Sequence, residues 1–290
     1  MNPSTDINAR NTDYSKKAWQ GDTLIKSRVL QKLRQNDFVR IASVTRVVEP
    51  WLTEVAGRLG FDLIWLDLEH RPFSEAVIDP ISLACRATGM DLMVRIRKAG
   101  YFSALQALEF GAHGLMVPHV RDVEEARQWV QWTYFPPLGH RGFDNANVDA
   151  DYALSDPVAS LKTRNEETFL VLQIEDCQAV ESVESIANLE GVDVLFVGPA
   201  DLTISYGVPM QFNHRLVQNA IDRVANAAAK AGKWWGTVTP TPESAQKALD
   251  RGARMVTCAV DHFLLVHGLQ KAYQEFSGIK IAPQNCYEMK

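Results

Sequence analysis

FLVLQIEDCQAVESVESIANLEGVDVLFVGPADL, residues 169–202, contains one complete structural unit. FLVLQI (169–174) is apolar apart from Gln173, the composition of a strand covered on both faces. An amphipathic stretch over 178–188 then leads to Gly191, the residue type that closes a helix in the left-handed conformation. A second apolar run, DVLFVG (193–198), turns through Pro199 into polar residues. Strand, helix and strand in that order build a parallel pair, because the crossover must return the chain to the same end of the sheet.

The same alternation continues on both sides. Further strand-like runs are VRIASV (39–44), DLIWLD (62–67), DLMVR (91–95), GLMVP (114–118), WWGTV (234–238) and RMVTCA (254–259). Between them, helical spacing predicts helices at 50–59, 74–88, 102–110, 122–133, 213–231 and 242–251. Gly60, Gly89, Gly111, Gly232 and Gly252 stand where these would end, and Thr241-Pro242-Glu243 is a good helix start. Eight such units predict an α/β fold, a single-domain (β/α)8 TIM barrel. No Gly-rich dinucleotide fingerprint follows the first run, which counts against an open doubly wound sheet.

The predicted organisation is a polar, flexible arm over 1–24, the barrel over 25–276 and a tail over 277–290. Residues 134–168 are too long for a simple connection; YFPPLGHRGFDNAN reads as a functional loop and DYALSDPVASLKTRNEE as a short irregular helix. The formal charge of −5 gives no sign of a nucleic-acid partner. No apolar run reaches the ~18 residues of a membrane span, and the N-terminus lacks the apolar centre of a secretory signal. Cys85, Cys177, Cys258 and Cys286 form no CxxC pair, so free thiols in a reducing cytoplasm are expected rather than a zinc site or a disulfide framework.

In such barrels chemistry sits at the carboxyl ends of the strands. The polar residues falling there are Asp67, Glu69 and His70; Arg95; His140 and Arg141; Gln173 and Glu175; Gly198-Pro199-Ala200-Asp201; and Asp261. Glu175 and Asp201 come from neighbouring strands, so their carboxylates can converge on Mg2+, Mn2+ or Co2+; each could instead cap a helix or pair with an arginine. His70 is the candidate general base, with Asp67 to orient it, although a histidine after a strand is often structural. Arg95 could stabilise an enolate oxygen or simply pair with Asp67 or Glu69. The turn at Gly198 presents N–H groups suited to a small carboxylate.

LDLEH (66–70), VR (94–95), PPLGHRG (136–142), VLQIE (171–175) and VDVLFVGPADL (192–202), in this order and spacing, resemble the HpcH/HpaI aldolases. These are class II pyruvate aldolases of the 4-hydroxy-2-oxoheptanedioate and 2-keto-3-deoxy-sugar-acid type. The likeness runs from about residue 25 to 276. It implies reversible cleavage of a 4-hydroxy-2-oxo acid to pyruvate and an aldehyde, through an enolate held by a divalent metal. By resemblance Glu175 and Asp201 bind the metal, Gln173 lies beside the keto acid and Arg95 contacts its carbonyl oxygen. His70 is the catalytic base with Asp67 in its motif. Ala200 and Asp201, in the turn of Gly198 and Pro199, hold the carboxylate, and Arg141 lies near the mouth. The family also implies a trimer or a dimer of trimers with exchanged helices.

Three positions depart from the pattern. Glu109 stands in LEFGAHG where the family often has aspartate, IASVTRV replaces a GLWL-type segment, and Leu68 replaces a glycine. Other readings remain open at this point: a Schiff-base aldolase using Lys98, an acyl-CoA lyase of the malyl or citramalyl type, or a non-catalytic keto-acid-binding subunit.

Overall fold

Every one of the eight apolar runs is a strand in the computed structural model, which describes residues 26–279. They are β1 (Val39–Val44), β2 (Leu63–Asp67), β3 (Asp91–Arg95), β4 (Gly114–Val117), β5 (Phe169–Ile174), β6 (Val194–Val197), β7 (Trp234–Val238) and β8 (Met255–Val260). All neighbours pair in parallel, and β8 returns to β1 to close the barrel in sequence order. The expected arm at 1–24 and residues 280–290 of the expected tail lie outside the described residues. Among the described residues no helix is long and apolar enough to cross a membrane.

Side chains alternate across each strand, which produces two cores. Ile41, Leu63, Trp65, Met93, Met116, Phe169, Val171, Val194 and Phe196 fill the barrel. Their neighbours Ile64, Leu66, Leu92, Val94, Leu115, Leu170 and Leu172 face outward, beneath the helices. Because both faces are buried, the strands read as continuous apolar runs.

Among the described residues one helix precedes the barrel: α1 (Arg28–Arg34) lies at the N-terminal ends of the strands, where Asp91 receives the Ser27 hydroxyl (2.5 Å) and the N–H groups of Arg28 (3.1 Å) and Val29 (2.9 Å). The surrounding layer contains α2 (Pro50–Arg58), α3 (Ile78–Thr88), α4 (Tyr101–Glu109), α5 (Val123–Thr133) and α6 (Pro157–Glu167). It continues with α7 (Cys177–Glu181), α8 (Val183–Ala187), α9 (Pro199–Ser205), α10 (Arg215–Lys230) and α11 (Pro242–Asp250). Asp122, Asp156 and Asp176 cap α5, α6 and α7, and Thr241 with Ser244 forms a capping box on α11. The stretch expected as one helix over 178–188 is broken at Ser182 into α7 and α8. In the long segment before β5, a 3-10 turn at Val148–Ala153 holds Asp151 and Tyr152 in the left-handed region, and α6 follows.

The last helix, α12 (Asp261–Phe276), is different. It packs chiefly on β8 and β1, and Leu264, Leu269, Tyr273 and Phe276 are exposed along it.

The interior is close-packed enough to exclude a single methyl group. A Cβ at Gly114 would overlap the ring of Phe169, which is fully buried and has nowhere to move. Gly114→Ala is expected to destabilise the fold by about 2 kcal/mol, read as a lower urea midpoint with an unchanged slope.

Candidate active site at the barrel mouth

The inward series on three strands runs from apolar residues low in the barrel to polar ones at its mouth, and on a fourth it ends in glycine. On β2 it is Leu63, Trp65, Asp67; on β3, Met93 then Arg95; on β5, Phe169, Val171, Gln173 and then Glu175; on β6, Val194, Phe196 and then Gly198. Strand periodicity alone therefore carries these side chains to one place.

Asp67, 1% exposed, is held by Arg95 through two contacts, Nε to Oδ1 (2.9 Å) and Nη2 to Oδ2 (2.8 Å). The same guanidinium stacks on Trp65, 5.0 Å from the ring centre, and reaches Glu69 through Nη1 (3.3 Å). Glu69 lies between two imidazoles, with His70 Nε2 3.5 Å from Oε2 and His119 Nε2 3.5 Å from Oε1. His119 in turn meets Glu175: its N–H donates to Oε1 (2.7 Å) and its Nδ1 stands 3.2 Å from the same oxygen. Gln173 Nε2 donates to Glu175 Oε2 (3.2 Å). The result is an unbroken polar chain, Asp67–Arg95–Glu69–His119–Glu175–Gln173.

Asp201 joins from the first turn of α9, half-buried, with its charge felt by Glu175. Burial pushes the Glu175 carboxyl up to about 7; the charge and N–H of His119 oppose this, and the charges of Glu69 and Asp201 add to it. Gly198 makes the approach possible, since a Cβ there would overlap Glu175 Oε2. Pro199 and Ala200 head α9, whose first intrahelical bond runs from Leu202 N–H to Gly198 O, so the N–H groups of Ala200 and Asp201 precede the ladder.

The donor chemistry fits a hard divalent cation. Four carboxylates, Asp67, Glu69, Glu175 and Asp201, gather here; Arg95 contacts Asp67 and Glu69, and Arg71 stands 3.8 Å from Asp67. Gln173 Oε1 is buried and accepts no hydrogen bond from the described residues. The carboxylate and amide oxygens are ligands of the kind that Mg2+ and Mn2+ prefer. Among the described residues no set of three or more His, Cys, Asp or Glu forms a ready-made cage. A site built on two carboxylates leaves the remaining positions to water and substrate.

Several expectations change in detail. Asp67 was expected to orient His70; its carboxylate pairs with Arg95 and meets His70 through that residue's charge and backbone N–H, while the carboxylate beside the His70 ring is Glu69. The Arg95 pairings with Asp67 and Glu69 that the sequence left open are both present. Arg141 is buried away from this chain of contacts, paired with Asp149 and stacked on Phe135 (4.7 Å). Glu109 senses Arg141, Asp149 and Arg164, and no contact links it to His70. Asp261 is spent on the loop after β1, accepting from the N–H groups of Thr45, Arg46 and Val47 at 2.6–2.9 Å. Lys98, the Schiff-base candidate, donates to His119 O (2.7 Å) and pairs with Glu125. His119 itself was missed. The available signal was its place two residues beyond β4, on the same rim as the others.

Comparison with known proteins identifies the chain's relatives. The sequence profile of the HpcH/HpaI aldolase/citrate lyase family matches residues 45–268. A 2-keto-3-deoxy-L-rhamnonate aldolase from Salmonella gallinarum is 30% identical over 259 residues, 89% of this chain and 96% of that protein. A 5-keto-4-deoxy-D-glucarate aldolase from Shigella boydii serotype 18 is 32% identical over 244 residues, 82% of this chain and 92% of that protein. The crystal structure of an HpcH/HpaI aldolase from Desulfitobacterium hafniense DCB-2 superposes with a TM-score of 0.82 at 28% identity, covering 87% of this chain and 97% of that one.

The Asp67–Arg95 pair sets a stability expectation. Burial alone would raise the Asp67 pKa, but the hydrogen bond and charge of Arg95 outweigh it and hold the carboxyl below an ordinary aspartate's 3.8. With the folded pKa the lower one, the pair's contribution is complete above the unfolded value and is lost as pH falls through the folded one. Arg95→Ala leaves a buried charge unpaired and is expected to cost about 3 kcal/mol in urea unfolding at pH 7. The gap to wild type should narrow as pH falls, because burial without Arg95 raises the Asp67 pKa and the variant's carboxyl is neutralised before the wild type's.

Proposed function

The chain belongs to the HpcH/HpaI aldolase/citrate lyase family, and from that footing we propose that it is an aldolase. In this reading it reversibly cleaves a 4-hydroxy-2-oxo acid to pyruvate and an aldehyde, with a divalent cation held by Glu175 and Asp201. The observation that carries the reading is the convergence of these two carboxylates across Gly198, beside a guanidinium fixed by Asp67. The relatives' names support a keto-deoxy acid as the substrate class.

When bound, the cation supplies Lewis-acid polarisation of the 2-oxo acid. The protein's own groups do the rest. The N–H groups of Ala200 and Asp201, at the turn of Gly198 and Pro199, receive the substrate carboxylate. Gln173 Oε1 offers a buried acceptor beside it. Arg95 cannot swing away, because Asp67 grips it on two sides and Trp65 supports its face. Its positive charge therefore stands ready for the negative charge that grows on the C2 oxygen. His70 takes the proton of the C4 hydroxyl. The C4–O bond becomes a carbonyl, the C3–C4 bond breaks, and its electron pair passes to the enolate of pyruvate, which is then protonated at C3. Glu69, on the Nε2 side of His70, favours the tautomer that leaves the Nδ1 lone pair free. Arg141 bears on this reading only through the loop it anchors, since its own partners are Asp149 and Phe135.

Engagement of Lys98 with His119 and Glu125 weighs against a Schiff base. The exposed apolar face of α12 supports self-association, with a second copy covering it; a trimer or hexamer is the expected form. Cys85, Cys177 and Cys258 are free thiols, in keeping with a cytoplasmic setting.

Pyruvate release from a panel of 4-hydroxy-2-oxo acids should vanish in EDTA and return with Mg2+, Mn2+ or Co2+. Glu175→Ala should lower it by at least roughly 100-fold. Turnover that ignores EDTA would overturn the reading. Leu269→Glu, on the exposed face of α12, should shift the light-scattering mass to a smaller species; an unchanged mass would remove α12 from the interface.

A further inference from the structure

Two residues beyond β4 the backbone of His119 enters the left-handed region, with φ +47°, a conformation uncommon for any residue but glycine. Its peptide groups are tied on both sides. The N–H donates to Glu175 Oε1 (2.7 Å), and the carbonyl accepts from Lys98 Nζ (2.7 Å), itself paired with Glu125. This turn aims the imidazole along the barrel mouth between two carboxylates, with Nδ1 3.2 Å from Glu175 Oε1 and Nε2 3.5 Å from Glu69 Oε1.

The two oxygens of Glu175 are thereby made unequal. Oε1 has both the backbone N–H and the ring of His119. Oε2 has one amide, from Gln173, and faces the open Cα of Gly198 towards Asp201's turn. A carboxylate fixed in this way presents a chosen oxygen to a cation and loses little freedom when it binds. The other end of the ring meets Glu69, which also contacts Arg95 and His70.

We propose that His119 is a positioning residue: its ring fixes which oxygen of Glu175 faces the divalent-cation site and ties that carboxylate to Glu69 on the acid–base side. The inference rests on the reading of Glu175 as a cation ligand, and the test separates the two.

Mn2+ binding to the full chain is measured by the paramagnetic signal of free Mn2+, with the melting temperature recorded alongside. His119→Gly keeps the backbone N–H, accepts the left-handed φ without strain and removes only the ring. His119→Asn also tolerates that φ and places an amide nitrogen where Nδ1 stands. Glu175→Gln is the control. The expected result is a Kd for Mn2+ raised about tenfold in His119→Gly at an unchanged melting temperature, as for other residues that orient a metal ligand. His119→Asn should recover most of the affinity, and Glu175→Gln should bind no Mn2+. Wild-type affinity in His119→Gly, or His119→Asn no better than His119→Gly, overturns the inference while leaving Glu175 as the ligand. Wild-type affinity in Glu175→Gln overturns the cation site and the inference with it.

Discussion

A carboxylate 3% exposed at the end of β5 governs the upper half of this barrel. Removing such a charge from water is costly unless donors or a cation replace the solvent. Among the described residues Glu175 has no arginine or lysine partner; it has two N–H donors, a histidine ring and a neighbouring acid. Its raised pKa is the record of that incomplete satisfaction. The glycine at 198, the left-handed turn at 119 and the lysine that clasps its carbonyl all follow from accommodating this one side chain.

The opposite end of the barrel shows the contrast. Asp62 and Asp91 are as deeply buried, yet both are fully used. Asp91 receives three donors from the start of α1, and Asp62 receives Arg28, Lys32 and the Arg40 N–H. Buried acids at the N-terminal face are structural ties. At the mouth, Gln173 Oε1 has no hydrogen-bond partner among the described residues. The difference in completeness, more than the identity of the residues, separates the stability face of the barrel from its reactive face.

The barrel was legible because its strands are short apolar runs closed off by glycines such as Gly111 and Gly191, and because parallel strands need no finer pattern. The rim was legible for the same reason: once a strand is placed, Asp67, Arg95 and Glu175 fall at its end. Partners were harder. Whether Asp67 turns to His70 or to Arg95 depends on β2 and β3 lying side by side with Asp67 opposite Arg95, a register that spacing along the chain does not contain. His119 depends on a left-handed backbone torsion that remains uncommon for any residue with a side chain and that strand periodicity does not reveal. Arg141 sits in a motif whose loop folds back on α5, with His140 N–H bonded to Gln131 O and Arg141 N–H to Tyr134 O, and this turns its side chain to Asp149.

Asp261 gives the last helix an unusual mechanical character. Five donors, from Thr45 (N–H and hydroxyl), Arg46, Val47 and His262, fasten its carboxylate at 2.6–2.9 Å. The seam between β8 and β1 is therefore clamped at the first residue of α12, and nothing in the clamp depends on where the remainder of the helix points. Closing the barrel is a unimolecular event that one chain completes by itself. The clamp does not set the direction taken by the helix beyond this pivot, so changes along α12 can alter its exposed apolar face without reopening the seam.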